Sequence, residues 1–225
     1  MVGTVAEIWR YPVKSLAGEQ LDSCTISPTG LEADRRWAFV DGTANRAGKL
    51  FTATEDKQLM TYRARLQGGR VEVLTPEGEA RQLDGELVAA IAQATRRPLT
   101  LRDIAGANFD DSPVLIVNMA SVAAFALEAG VAVDRRRFRA NLYVDGFEPE
   151  EEARWIGSRL RVGSAELEVV KPCERCVVIT HDPDTTETSP ALLRVLTKTS
   201  DANMGVYCRV LRPGVVAVGD LIGPE

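Results

Sequence analysis

The chain has 225 residues, 45% of them apolar and 26% charged, with a formal net charge of −5. That balance suits one large domain or two small ones whose core needs no covalent staples, and it gives no overall basic character for nucleic-acid binding. Four cysteines are too few for a secreted disulfide framework, and a single histidine, His181, excludes multi-histidine zinc or two-histidine iron centres. No run approaches the ~20 apolar residues of a membrane helix, and the amino terminus lacks an apolar core of signal-peptide length. A soluble protein of the reducing cytoplasm is expected, with no membrane partner.

Short strands separated by turns dominate the first half. Residues 2–11 alternate loosely through Val2, Val5, Ile8 and Trp9 and stop at Pro12. Leu21 to Ile26 predicts a second strand, closed by the Pro28-Thr29-Gly30 turn, and Arg36 to Val40 a third, ended by Asp41-Gly42. Residues 60–66 and 70–75 form a predicted strand pair around Gly68-Gly69. In 85–95, Leu87, Ala90, Ile91 and Ala94 follow helical spacing.

Farther along, Val114 to Val117 is an apolar run, and Ser121 is the expected cap of a helix with Gly130 just past its end. Leu142 to Val144 predicts a short strand. Leu160/Val162 and Leu167/Val169 predict a hairpin turned at Gly163-Ser164. Ser189-Pro190 begins a predicted helix, and Tyr207–Val210 with Val215–Val218 predicts a closing hairpin. The fold class expected is α+β, predominantly β, as a barrel or sandwich, with domains at 1–100 and 101–225.

The Cys173-Glu174-Arg175-Cys176 pair carries the most chemical information. It suits two buried structural thiols, a thioredoxin-like redox pair, part of a zinc site, or one thiolate ligand to a soft metal completed by a cofactor. The β-branched run Val177 to Thr180 predicts a strand after Cys176, which argues against the redox pair. Zinc would lack ligand spacing among Cys24, Cys208 and His181. The cofactor reading needs a cradle for an anion. Its candidates are Lys14 and Ser15 after the first strand, Arg35 beside Arg36, Ser112 before Pro113, and Arg139 with Asn141.

RYPVKS, GLEADRRW, DDSP, FRANLYVDG, PCERC followed by DPDT, and GVY with VAVGD occur in an order that resembles the MOSC family. The resemblance is best to the branch of the mitochondrial amidoxime-reducing components and their bacterial relatives, over nearly the whole chain. It implies a MOSC-type β-barrel with an N-terminal β-barrel-like domain and one molybdenum cofactor, a molybdenum-bound molybdopterin. Residue by residue, it implies Cys176 as metal ligand and catalytic residue, with Lys14, Ser15, Arg35, Ser112, Arg139 and Asn141 as cofactor contacts. Cys173 falls outside that set, and Thr54 stands where family members often have arginine. The resemblance further implies reduction of small N-hydroxylated or N-oxide substrates by oxygen-atom transfer. Electrons would come from a separate flavin or iron–sulfur protein, since only three cysteines remain once Cys176 is committed. His181 and Asp182 are candidates for proton relay. A persulfide-carrying or cofactor-carrying protein is the alternative.

Overall fold

The computed structural model describes residues 2–225. Strand β1 (Gly3–Arg10) ends just before Tyr11 and Pro12, the latter having no amide hydrogen to extend a ladder. The single strand expected over 21–26 is two: β2 (Glu19–Leu21) pairs with β1, while β3 (Ser23–Ser27) joins another sheet. Cys24 and Ile26 are buried and Ser23 and Thr25 exposed, so β3 lies with one face on the core. β4 (Gly30–Leu31) folds back on β3, and β5 (Trp37–Asp41) pairs with β6 (Leu50–Phe51). Residues 60–61 belong to a 3-10 turn, Lys57–Thr61, rather than to the strand expected there. β7 (Arg63–Gln67) and β8 (Arg70–Leu74) turn at Gly68 and Gly69, both at positive φ as a two-residue hairpin requires. β9 (Ala80–Gln82) adds a third strand. Helix α1 (Gly85–Thr95) is capped by the Asp84 carboxylate and buries Leu87, Val88 and Ile91; β10 (Leu99–Asp103) then returns to β5.

In the second half, β11 (Val114–Asn118) is buried at every position. Helix α2 (Met119–Ala129) is capped by Asn118, not by Ser121 as expected: the Asn118 side chain accepts from the Ala120 amide, three residues earlier. Ser121 instead lies in the first turn and donates to buried Glu152. β12 (Leu142–Asp145) follows, then the hairpin of β13 (Arg159–Val162) and β14 (Ala165–Glu174), as expected. Val177–Thr180 is a 3-10 turn and not a strand. Its β-branched propensity is overridden because no strand edge is offered to it, while Ile179 packs into the core beneath α3 (Pro190–Ser200). The final strands are β15 (Asn203–Arg212), β16 (Gly214–Ala217) and β17 (Leu221–Pro224). The closing hairpin does not form, because β14 and β11 occupy both edges of β15 and β16 pairs with β3 instead.

Seven strands close a barrel in the order β12-β11-β15-β14-β13-β17-β1, with β1 returning to β12. Only β11 and β12 run parallel. Alternation along β11 explains the layering: Val114 and Ile116 enter the barrel core, while Leu115 and Val117 face the cluster under α2 and α3. A third cluster, built on Phe39, Leu59, Val73 and Ile91, holds the β5 and β7–β9 sheets together with α1. No helix among the described residues is long and apolar enough to cross a membrane.

Candidate functional site

Loops from both halves of the chain converge on a cavity of about 330 Å³. Lys14, Ser15, Arg35, Ser112, Arg139, Asn141 and Cys176, the residues singled out in the sequence, all line it. The turn after β1 supplies the first two. Lys14 Nζ donates to the Asn108 carbonyl at 2.8 Å and to Asp110 at 2.6 Å. Burial pulls the Lys14 ammonium below its ordinary value, and Asp110 only partly restores it. Ser15 sits at φ 74, and its hydroxyl accepts the Ala53 amide at 3.0 Å, which brings the Thr52–Thr54 segment to the wall.

Arg35 and Arg139 enter from left-handed backbone, at φ 48 and 51. Such conformations cost non-glycine residues about 1 kcal/mol or more each and persist where the surroundings enforce them. Arg35 pairs with buried Asp34 and donates to the Arg139 carbonyl at 2.9 Å. Burial opposes its charge, but Asp34, Tyr11 and Asp110 outweigh burial and raise its pKa. Arg139 has no carboxylate partner and donates to the Leu16 carbonyl at 2.8 Å; burial and neighbouring Arg35 pull it below its ordinary value. Arg36 lies on the surface with Asp103, so only the first arginine of the pair reaches the cavity.

Asn141 is 1% exposed and its amide is already engaged, accepting from the Leu115 amide at 3.1 Å and donating to the Trp9 carbonyl at 3.3 Å. It ties β1 to β11 at the cavity wall. The Ser112 hydroxyl donates to Asp111 at 2.8 Å. Cys176 is an exposed free thiol and Cys173 a buried one, so the two cysteines of the pair stand in different environments. Cys173 is the penultimate residue of β14 and neighbours Tyr207, whose hydroxyl pKa burial and Cys173 raise.

Arg175, Arg137 and Tyr207 are among the lining residues to which the sequence assigned no cofactor contact. Arg175 donates to the Met204 carbonyl from Nε at 2.8 Å and to the Phe138 carbonyl at 2.7 Å, with no carboxylate partner. Arg137 reaches Asp182 at 2.9 Å, and Tyr207 forms part of the wall. The run of arginines at 135–137 is the one sequence signal for Arg137, and spacing does not separate it from Arg135 and Arg136, which pair elsewhere with Glu7, Asp134 and Asp184. Neither relay candidate lines the cavity. His181 is buried with Nδ1 3.2 Å from the Thr188 hydroxyl, and Asp182 accepts its own loop's amides.

Among the described residues no group of three or more His, Cys, Asp or Glu side chains could hold a metal ion. A metal at Cys176 would therefore take its remaining ligands from a bound cofactor. Fold and site together define a β-barrel protein that presents one exposed thiol over a cavity rich in cations.

The chain belongs to the MOSC domain family: residues 101–223 match the MOSC domain and residues 2–114 the MOSC N-terminal beta barrel domain. It is similar to mitochondrial amidoxime-reducing component 1 of Homo sapiens, 26% identical over 234 residues, covering 82% of this chain and 68% of that protein. It is also similar to a molybdenum cofactor sulfurase of Caenorhabditis briggsae, 28% identical over 237 residues, covering 92% of this chain but only 33% of the relative. Among solved structures, the YuaD protein from Bacillus subtilis aligns over 99% of this chain and 94% of its own, with a TM-score of 0.56 at 17% identity. That likeness concerns the fold.

Proposed function

We propose that this chain binds a molybdenum cofactor and reduces small N-hydroxylated or N-oxide compounds, taking electrons from a separate flavin or iron–sulfur protein. One observation carries this reading: two guanidiniums without carboxylate partners, Arg139 and Arg175, line the same cavity as the exposed Cys176 thiol. A partly buried, uncompensated cation is costly, and an anionic phosphate group offsets that cost. The residues fit a phosphate-bearing pterin with molybdenum, since the thiol is the soft donor and the cations suit the phosphate. When bound, that group supplies oxygen-atom-transfer chemistry.

The chain's own residues bind and orient. Cys176 supplies the protein thiolate to the metal. Arg35 and Arg139, with Lys14 and Ser15, hold the anionic end, and Ser112 bonds a polar edge. Asn141 fixes the wall between β1 and β11 with its engaged amide and offers its second amide hydrogen and one remaining oxygen lone pair. Arg175 holds the Met204 and Phe138 backbone beside Cys176 and adds positive charge there.

The similarity to a molybdenum cofactor sulfurase supports a second reading, in which Cys176 carries a persulfide. Cations spread around the cavity favour the first, because a persulfide needs no phosphate contacts. The test supplies the cofactor-loaded protein with an N-hydroxylated substrate and either a low-potential viologen dye or NADH. Turnover is expected with the dye, and with NADH only after a reductase extract is added. Failure with both reductants across several N-hydroxy compounds would remove the enzyme reading, and sustained NADH oxidation by the pure chain would remove the separate partner.

A further inference from the structure

We infer that Tyr11 is a positioning residue for the anionic end of the cavity: its buried ring holds the Arg35 and Arg139 guanidiniums together, so that one anionic group meets both. The inference rests on reading the cavity as an anion site.

Tyr11 is 3% exposed and is fixed at both ends of its backbone. Its amide donates to Asp34 at 2.8 Å, and its carbonyl accepts the Arg35 amide at 2.7 Å. The Arg35 guanidinium carbon lies 4.8 Å from the ring centroid and that of Arg139 4.4 Å from the same centroid. Two cations so close repel each other, and Asp34 compensates only one of them. The negative face of an aromatic ring attracts a guanidinium, most strongly where water is excluded. The ring therefore offsets the repulsion without supplying a counter-charge, which leaves the surplus positive charge for a ligand. An acidic residue in its place would neutralise the pair, and an aliphatic one would let it spread.

The hydroxyl is not what the role requires. It is buried with no hydrogen-bond partner, a cost that phenylalanine would avoid. Tyr11 also borders a void of about 30 Å³ shared with Trp9, Arg63 and Arg136, which has room for one water. Burial pushes the phenol up to about 12 against the pull of Arg139 and Arg35, so it stays neutral at physiological pH and leaves the arginine charge unspent.

The test measures binding of inorganic pyrophosphate to cofactor-free full-length protein by titration calorimetry at low salt. Wild type is compared with Tyr11→Phe, Tyr11→Leu and pentafluorophenylalanine incorporated at position 11. Tyr11→Phe should bind within about twofold of wild type, while Tyr11→Leu and the fluorinated ring should bind about tenfold more weakly. The fluorinated ring keeps the shape and loses the negative face, so it decides the matter even if Tyr11→Leu fails to fold. Equal affinity for the phenylalanine and pentafluorophenylalanine proteins would reduce Tyr11 to a packing residue. No binding by wild type would instead overturn the anion-site reading itself, and the inference with it.

Discussion

Arg139, half-buried, and Glu152, buried, are ionisable residues with no oppositely charged side-chain partner, and each makes a prediction. Arg139 lacks a carboxylate and lines the cavity. A charge-assisted hydrogen bond to a ligand contributes roughly 1.5–3 kcal/mol, so Arg139→Ala should weaken anion or cofactor binding by about one to two powers of ten. The apo protein should unfold at the wild-type temperature or slightly above, since an uncompensated cation is removed. Unchanged binding under limiting cofactor would assign Arg139 to the scaffold. Glu152 is 2% exposed, and burial raises its carboxyl pKa against the hydrogen bonds of Ser121 and Asn118. The folded state thus holds this proton more tightly than the unfolded chain. Stability is highest below the unfolded value of about 4.3 and falls as pH rises toward the folded value. Glu152→Gln, which keeps a hydrogen bond to Ser121, should raise the melting temperature at pH 7 by about 2–4 °C, with the gain vanishing near pH 4. A gain independent of pH would contradict this. At this scale the sequence was informative about residue type and poor about conformation. The cations and the thiol were legible, but the left-handed backbone of Ser15, Arg35 and Arg139 was not, because tertiary contacts impose it on residues that do not prefer it.

Elements were legible where local chemistry decides them and obscure where partner choice does. Helix α1 follows from its apolar spacing, and the Gly68-Gly69 and Gly163-Ser164 turns follow from hairpin geometry. The run Val177 to Thr180 and the pairing of β16 were misread, because edge availability in the finished sheet is not written in either segment. The α2 cap was missed because Asn118 belongs both to β11 and to the helix start. Gly205 joins an element to the site. It sits at φ 77 in β15, where an added Cβ would stand 2.4 Å from the Ile116 carbonyl oxygen of β11. Its neighbour Met204 offers the carbonyl that holds Arg175. Gly205→Ala should therefore cost about 3 kcal/mol through backbone strain and displacement of β11, measured by urea unfolding, and should also loosen Arg175. A cost below about 1 kcal/mol would show that the β11–β15 contact yields easily.

At the scale of the whole molecule, the barrel takes its closing strand from the first ten residues, since β1 pairs with both β12 and β17. A fragment of residues 101–225 would expose both edges, which invites aggregation. It should be insoluble or unfolded alone and recover strand content and cooperative melting when co-expressed with residues 1–100. Autonomous folding of the fragment would contradict this closure. A mainly β fold was legible from the frequency of turns, whereas closure through β1 was not, because it joins segments more than 130 residues apart. The same closure carries the turn holding Lys14 and Ser15 to the cavity that Cys176 lines. Whether that cavity serves a molybdenum cofactor is decided most directly by molybdenum and pterin content. The measurement compares wild type, Cys176→Ala and Cys173→Ala, each purified from a host that makes the cofactor. Stoichiometric molybdenum and pterin are expected in wild type, largely retained in Cys173→Ala and absent from Cys176→Ala. Equal molybdenum in wild type and Cys176→Ala, or sulfane sulfur on Cys176 without molybdenum, would contradict the account.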